Sequence, residues 1–325
     1  MVYKIFSPKF TKHLKVLCVN EKFQQEHFYL CQWQKSQNIS IWFMIYRILM
    51  TITTVGIMIL SLINQLEVDP DYTIFKWFIY MTHWGYLIIV LQFLLATLIH
   101  TYYFIKEKLL VKTISDKEQP STAPEATNQN QNVDLKKQHK INLVCKFYGV
   151  IHAMAAVLAI GITVLYWVLI YNPEIHKINF INLAMHAMNS IIMLIDLMLV
   201  AHPMYLLHVI YPFLFAIIYT FFTYFYYLAG GKGKEGQPSI YEVLDWNRPV
   251  KSIIVSVSAI LFVVILFFMT YLLVFARKYC KYKCAKPKQI DDAQSTPNNI
   301  PTVSLNEVTI NSIQEQQIGS NDIIV

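Results

Sequence analysis

The chain has 325 residues, of which 55% are hydrophobic and only 14% are charged. A soluble domain usually has about a quarter charged residues, so this composition excludes an ordinary soluble fold. The formal net charge of +7 does not indicate a nucleic-acid partner, because the basic residues cluster beside apolar segments and form no recognisable binding module. We therefore expect an integral membrane protein.

The first segment, residues 1–40, contains several lysines but no uninterrupted apolar run. It lacks the organisation of a cleavable signal peptide, which needs a short apolar region after its positive charges. We expect residues 1–40 to form a cytosolic N-terminal segment, with membrane insertion beginning at the first apolar span.

Six apolar segments follow, and each is long enough to cross a bilayer as a helix, which takes ~20 mainly apolar residues. They comprise residues 41–64, 77–104, 143–171, 180–201, 204–229 and 250–276. The division between the fourth and fifth depends mainly on Pro203. The predicted fold class is all-α, a polytopic membrane bundle of six transmembrane helices within residues 41–276.

The distribution of Lys and Arg predicts the orientation, because these residues concentrate in cytosolic loops. With both termini in the cytosol, nineteen of them fall in inner segments and six in outer loops. Residues 113–139 and 277–325 are polar and contain proline, so we expect a disordered cytosolic loop and a disordered cytosolic tail. The sequence does not distinguish the plasma membrane from an endomembrane.

In this topology all five cysteines are cytosolic, where thiols stay reduced. Cys280 and Cys284 follow the last span among basic residues, an arrangement that fits S-palmitoylation as well as ordinary thiols. The pair has no adjacent His or second Cys pair, so we predict no metal site. No motif indicates a cofactor.

The fourth span has a polar stripe. Asn182, His186, Asn189, Met193 and Asp196 follow one another at spacings of four and three, which places them on one helical face. Polar groups are costly inside a bilayer, so this face should line the interior of the bundle.

Thr82 and His186 lie at similar depths below the outer surface, roughly 9 Å for His186 at 1.5 Å per residue. A hydroxyl and an imidazole are the parts of a nucleophile and a general base. Asn182 or Asn189 could support them by orienting the ring or by donating to an oxyanion. A structural interpretation is also open, because Thr often bonds its own helix backbone and buried His often bonds across helices.

A second polar set lies at the opposite, inner end of the bundle. Asp196, Arg47 and His152 occur at similar depth there, and we predict that Asp196 pairs with Arg47 or His152. A structural ion pair and a proton or ion relay are both consistent with this set.

Several strings resemble the rolling stone family of polytopic membrane proteins. They are CQWQKSQ (31–37) with YR (46–47), YMTHWGY (80–86), MHAMNSIIMLIDLMLVAHP (185–203), HVIYPFLFAIIYTFFTYFYYLAGG (208–231) and IYEVLDW (240–246). The resemblance runs through all six spans. It implies an association with cell and membrane fusion in development, without an established reaction.

A more distant similarity is to the androgen-induced membrane hydrolases, which cleave fatty-acid esters of hydroxy fatty acids with one Thr and one His. Thr82 looks equivalent to the family Thr, and His186, preceded by Asn182 and followed by Asp196, to the family His. The family has another His directly after the Asn that matches Asn182, and this chain has Leu183 at that position. This similarity implies a lipid-ester hydrolase that uses Thr82 and His186, with membrane lipids such as fatty-acid esters as partners. The alternatives are a non-enzymatic scaffold or fusion-related protein, and a proton-coupled carrier using Asp196.

Overall fold

The computed structural model describes residues 25–36, 38–68, 74–116, 128–173, 178–233 and 236–285. In this part of the chain, six helices are long and apolar enough to cross a membrane, which confirms the predicted all-α membrane fold. They are α1 (Ile41–Val68), α2 (Met81–Asp116), α3 (Asn128–Leu165), α4 (Phe180–Leu199), α5 (Ile210–Leu228) and α6 (Pro249–Ala285).

Successive spanning helices run in opposite directions, so the bundle has two ends. We call the end at which α1 begins the proximal end and the opposite one the distal end. Helices α2, α4 and α6 therefore begin at the distal end. The distribution of Lys and Arg predicts that the proximal end faces the cytosol, and this orientation remains a prediction.

Short helical turns lie outside these six helices. Gln25–Phe28 precedes α1, and Ile74–Trp77, Leu206–Val209 and Glu242–Leu244 lie in the connections between the helices. Two π-helical turns interrupt the regular helices: Tyr166–Ile170 continues α3, and Ala184–Met188 lies within α4. A π turn has a wider ring of backbone hydrogen bonds than an α turn and so shifts the direction of the side chains that follow it.

Several helices begin or end at residues other than those predicted from hydropathy. The second span begins at Met81 rather than 77, because Ile74–Trp77 forms a separate short helix. Helix α2 runs to Asp116 and α3 begins at Asn128, so both extend into the loop expected at 113–139. Residues 117–127 of that loop lie outside the described residues.

Helix α6 likewise continues to Ala285, beyond the expected end at 276. The added turns of α2 and α6 are rich in Lys, Glu, Leu and Arg, which have good helix propensity. A helix made of such residues need not stop where the apolar run stops. Residues 286–325 of the expected tail lie outside the described residues.

Helix α3 is the centre of the bundle and packs against α2, α4, α5 and α6. Its buried stretch contains the small residues Ala153, Ala155, Ala156 and Ala159. Small side chains let helix backbones approach closely, which is the main source of packing energy between membrane helices. Gly85 of α2 has the same role, because a Cβ atom there would run into the side chain of Ile162.

The segment before α1 closes the proximal end of α4. Gln32 N donates to Leu199 O at 2.7 Å, and Trp33 Nε1 donates to Met198 O at 2.8 Å. These bonds satisfy carbonyl groups at the end of α4 that have no partner within the helix. The pre-span segment is thus part of the folded bundle.

Candidate functional site

The proximal end of the bundle contains a buried carboxylate surrounded by hydrogen-bond donors. Asp196 is fully buried and accepts hydrogen bonds from Arg47 Nη1 at 2.5 Å, Gln92 Nε2 at 2.8 Å and Tyr46 OH at 3.1 Å. His152 Nε2 lies 3.2 Å from Asp196 Oδ2. A carboxylate only accepts, so this nitrogen carries the proton. Asp196 thus pairs with both Arg47 and His152, where the sequence predicts one or the other.

Arg47 has further partners that suit a buried guanidinium. Its Nη2 lies 3.4 Å from Tyr148 OH, and its central carbon lies 4.7 Å from the centroid of the Phe43 ring. A buried cation is tolerated when it is both paired and hydrogen-bonded, and an aromatic face adds a favourable cation–π contact. Arg47 meets these conditions.

Gln92 and Tyr46 were not singled out by the sequence analysis as members of this network. The signal for Gln92 is present in the sequence, since it is the polar residue at the middle of an apolar span and such residues face the interior. Tyr46 gives no such signal, because tyrosine is common near membrane surfaces.

Histidine and arginine side chains surround the network on the side of the α4–α5 connection. The rings of His152 and His202 are perpendicular with centroids 4.4 Å apart, and His202 also stacks on Phe28. Arg277 of α6 is buried and donates to the carbonyl oxygens of Leu197 and His202. Residue 277 was expected to begin the cytosolic tail, and it is instead a buried part of α6.

Burial lowers the pKa of His202 well below its usual value, and the nearby His152, Arg277 and Arg47 act in the same direction. His202 is therefore neutral at neutral pH. Its position between the fourth and fifth spans places it against the proximal network without adding a charge to it.

A cavity of about 90 Å³ lies at the distal end. It is lined by residues of α2, α3, α5 and α6, together with Tyr241, Val243 and Leu244. The lining is mostly apolar, and its hydroxyl groups belong to Thr82, Tyr166, Tyr219, Thr220, Tyr241 and Ser256. None of the described residues that line this cavity is acidic or basic.

Thr82 lies in the first turn of α2 and is 8% exposed. Beside it, Met81 N donates to the hydroxyl groups of Tyr219 and Tyr241, both at 3.0 Å. These bonds satisfy a backbone N–H that has no partner within the helix. The Tyr241 hydroxyl also interacts with Thr82, and burial raises the pKa of Tyr241, so this phenol stays protonated.

His186 contacts a residue of the cavity wall. Its ring stacks on Tyr166 with centroids 3.5 Å apart, and Trp167 Nε1 donates to its backbone carbonyl at 3.1 Å. Among the described residues, Tyr166 lines the cavity and His186 does not. No hydrogen bond joins Thr82 to His186 in the described part of the chain. The catalytic pairing of Thr82 with His186 therefore stays a prediction.

The two predicted supporting amides bind other partners. Asn182 Nδ2 donates to Tyr166 OH at 2.5 Å. Asn189 Oδ1 accepts from Thr163 Oγ1 at 3.1 Å and from the backbone N–H of Ser190. Asn182 thus orients Tyr166, and Asn189 joins α4 to α3.

Ser256 of α6 is a cavity residue that the sequence analysis did not identify. It is 6% exposed, and its hydroxyl has no hydrogen-bond partner within the described residues. The sequence contains a weak signal for it, since Ser252 and Ser256 are one helical turn apart on a mainly apolar span.

Neither polar region has the ligand set of a metal centre. Among the described residues, no three His, Cys, Asp or Glu side chains are grouped so that they could hold a metal ion. Cys280 and Cys284 are exposed free thiols in the last turns of α6.

The six spans, the paired charges between helices and the distal cavity define an integral, multi-pass α-helical membrane protein. The chain belongs to the rolling stone family, whose model, described as "Protein rolling stone", matches residues 1–286. It is similar to "Protein rolling stone" of Drosophila melanogaster, with 28% identity over 261 residues, which are 79% of this chain and 86% of the fly protein. No solved structure matches the chain.

Proposed function

We propose that this membrane protein binds a lipid acyl chain in the distal cavity, with Thr82 close to the polar end of that lipid. The observation that supports this most strongly is the cavity itself, which is apolar over most of its wall and has a few hydroxyl groups. Ligand sites typically combine an apolar lining with a small number of placed polar groups.

The location of the cavity limits which interactions select the ligand. Lipid tails are as apolar as the side chains of the wall, so transfer of an acyl chain from bilayer to cavity gains little hydrophobic free energy. Selection must then come from shape and from polar contacts at Thr82, Tyr241 and their neighbours. Because these groups are neutral, a ligand with a weakly polar head suits the site best.

Cleavage of an ester is a second candidate function, supported by the stack of His186 on the cavity residue Tyr166. In this reaction Thr82 Oγ1 attacks the carbonyl carbon and its proton passes to the imidazole. The ester C–O bond then breaks, the alcohol leaves with that proton, and water hydrolyses the threonyl ester to release the fatty acid. The reaction requires the imidazole of His186 to come within hydrogen-bond distance of Thr82 Oγ1.

The proximal network supports the non-enzymatic alternative, in which buried polar groups specify helix packing. Asp196 has four donors, one of them a permanently charged guanidinium. A carboxylate held in this way suits a structural role better than a carrier that must take up and release protons.

A photo-crosslinking lipid tests the proposed binding. A long-chain fatty ester with a diazirine in its acyl chain is added to the protein in nanodiscs, and labelled residues are mapped by mass spectrometry. We expect labelling of cavity residues in α3, α5 and α6. Ala259→Phe, which fills the cavity, should abolish this labelling.

The matched control is Ser258→Phe, because Ser258 is the adjacent residue of α6 and is exposed. This variant introduces the same side chain without entering the cavity, and its labelling should equal that of the wild type. Labelling of the wild type confined to the outward faces of the helices would refute lipid binding in the cavity.

A further inference from the structure

We infer that the hydroxyl of Ser256 donates a hydrogen bond to the carbonyl oxygen of a neutral acyl ester held in the distal cavity. This inference rests on the proposed lipid binding and adds to it the recognising residue and the chemical class of the ligand.

The first support is the unusual state of the Ser256 hydroxyl. A Ser or Thr in a membrane helix normally bonds the carbonyl oxygen four residues earlier. Thr220, which lines the same cavity, bonds Ala216 O at 2.9 Å, and Thr270 on the same helix as Ser256 bonds Leu266 O at 3.1 Å. Ser256 makes no such bond within the described residues, although it is buried. A buried donor without an acceptor is destabilising and calls for an explanation.

The second support is that the phenol groups near Thr82 already take part in hydrogen bonds with the backbone. Tyr219 OH donates to Ile79 O at 2.8 Å, and the Tyr241 oxygen accepts from Met81 N. These groups hold the start of α2 in place. Ser256, by contrast, is a cavity residue whose hydroxyl has no partner among the described residues.

The lining of the cavity decides the charge of the ligand. The nearest lining residues of α6 are Val255, Ala259 and Ile260, and no described lining residue is basic. An ionised carboxylate in this surrounding would be a buried charge without a partner, which is strongly unfavourable. An ester carbonyl is neutral, accepts one or two hydrogen bonds and leaves the acyl chain free to fill the apolar part of the cavity.

Competition among three ligands of equal chain length tests the inference. A fatty acid methyl ester, the matching alkyl methyl ether and the free fatty acid at pH 8 each compete with the photo-crosslinking ester. In the wild type, the methyl ester should compete about 3- to 10-fold better than the ether, the range expected for one hydrogen bond. The ionised fatty acid should compete worse than the methyl ester.

Ser256→Ala should remove the advantage of the ester over the ether, and Ser256→Thr, which keeps a hydroxyl, should retain it. Ser258→Ala, on the exposed face of the same helix, should behave as the wild type. Ser256→Ala deletes an unsatisfied group, so its melting temperature should not fall.

Equal competition by ester and ether in the wild type would refute the inference, as would an ester advantage that survives Ser256→Ala. A free fatty acid that competes as well as the ester would refute the neutral-ester part of it. In all these cases the cavity still binds lipid, so the proposed function stands. Failure of the proposed function is a different result, namely the absence of any labelling in the cavity of the wild type.

Discussion

The imidazole of His186 lies face to face with the phenol ring of Tyr166, with centroids 3.5 Å apart and planes at 5°. Both residues belong to π-helical turns, one at the end of α3 and one within α4. Such turns occur often at functional sites. Tyr166 lines the distal cavity, so the stack connects the predicted base to the place where we propose that a lipid binds.

If Thr82 and His186 cleave an ester as a unit, Thr82→Ala and His186→Ala should each abolish cleavage, and the double variant should be no worse. Thr82→Ser should keep some activity because it retains a hydroxyl, and the nearly isosteric Thr82→Val should keep none. Loss of the Thr82 hydroxyl costs only ~1 kcal/mol in helix packing, so the Thr82 variants should stay folded. The measurement is release of fatty acid by purified protein from a panel of acyl esters.

The result most damaging to the Thr82 mechanism is an active Thr82→Val variant, because cleavage would then come from another group. A wild-type protein that cleaves no ester in the panel would leave lipid binding without catalysis.

Removal of one partner from the Arg47–Asp196 pair should destabilise the protein strongly. Asp196→Ala or Arg47→Ala leaves a buried charge unpaired, at a cost of about 3–5 kcal/mol. The double variant Arg47→Met/Asp196→Leu should unfold at a higher temperature than either single Ala variant, because it leaves no lone charge. Thermal unfolding in detergent measures these differences.

Equal melting temperatures for wild type and Asp196→Ala would contradict a structural role for the pair. Loss of proton-driven uptake in a variant of full stability would instead favour a carrier.

The stability of the protein should fall as the pH falls below about 6.5, the ordinary pKa of histidine. Burial lowers the pKa of His202 in the folded state, so the unfolded chain binds a proton in this pH range and the folded protein does not. His202→Gln removes this group and should make the melting temperature less dependent on pH between 7 and 5. An unchanged pH dependence would show that His202 does not contribute to it.

The predicted orientation can be tested through the thiols at the end of α6. In sealed vesicles that keep the cytosolic side inside, an impermeant maleimide should leave Cys280 and Cys284 unlabelled, while a tag inserted at 231–233 should be accessible. Opening the vesicles should expose both thiols. Labelling of the thiols before opening would reverse the topology and place the distal cavity near the cytosolic surface.

Much of the fold follows from the sequence, because the thickness of the bilayer sets the length and the apolar character of each spanning helix. The pairing of Asp196 with Arg47 was also predictable, since a buried carboxylate in a membrane helix needs a donor at the same depth. The ends of α2 and α6 could not be predicted from hydropathy, because residues of good helix propensity follow the apolar run and extend each helix.

The distal site could be predicted only in part. The spacing of Asn182, His186 and Asn189 assumes a regular α-helix, and the π turn at Ala184–Met188 changes the register between them. His186 consequently stacks on Tyr166, whereas Asn189 bonds Thr163 on α3. The sequence places Ser252 and Ser256 on one helical face, but the lack of a partner for the Ser256 hydroxyl depends on its three-dimensional surroundings.

Lipid binding in the distal cavity is tested most directly by cryo-electron microscopy of the protein in lipid nanodiscs. A bound antibody fragment serves as the fiducial marker for particle alignment. We expect elongated density in the distal cavity, between α3 and α6, with its polar end close to Thr82 and Ser256. A map in which these helices and Tyr166 are well ordered, and the cavity between them contains no such density, would contradict lipid binding at this site.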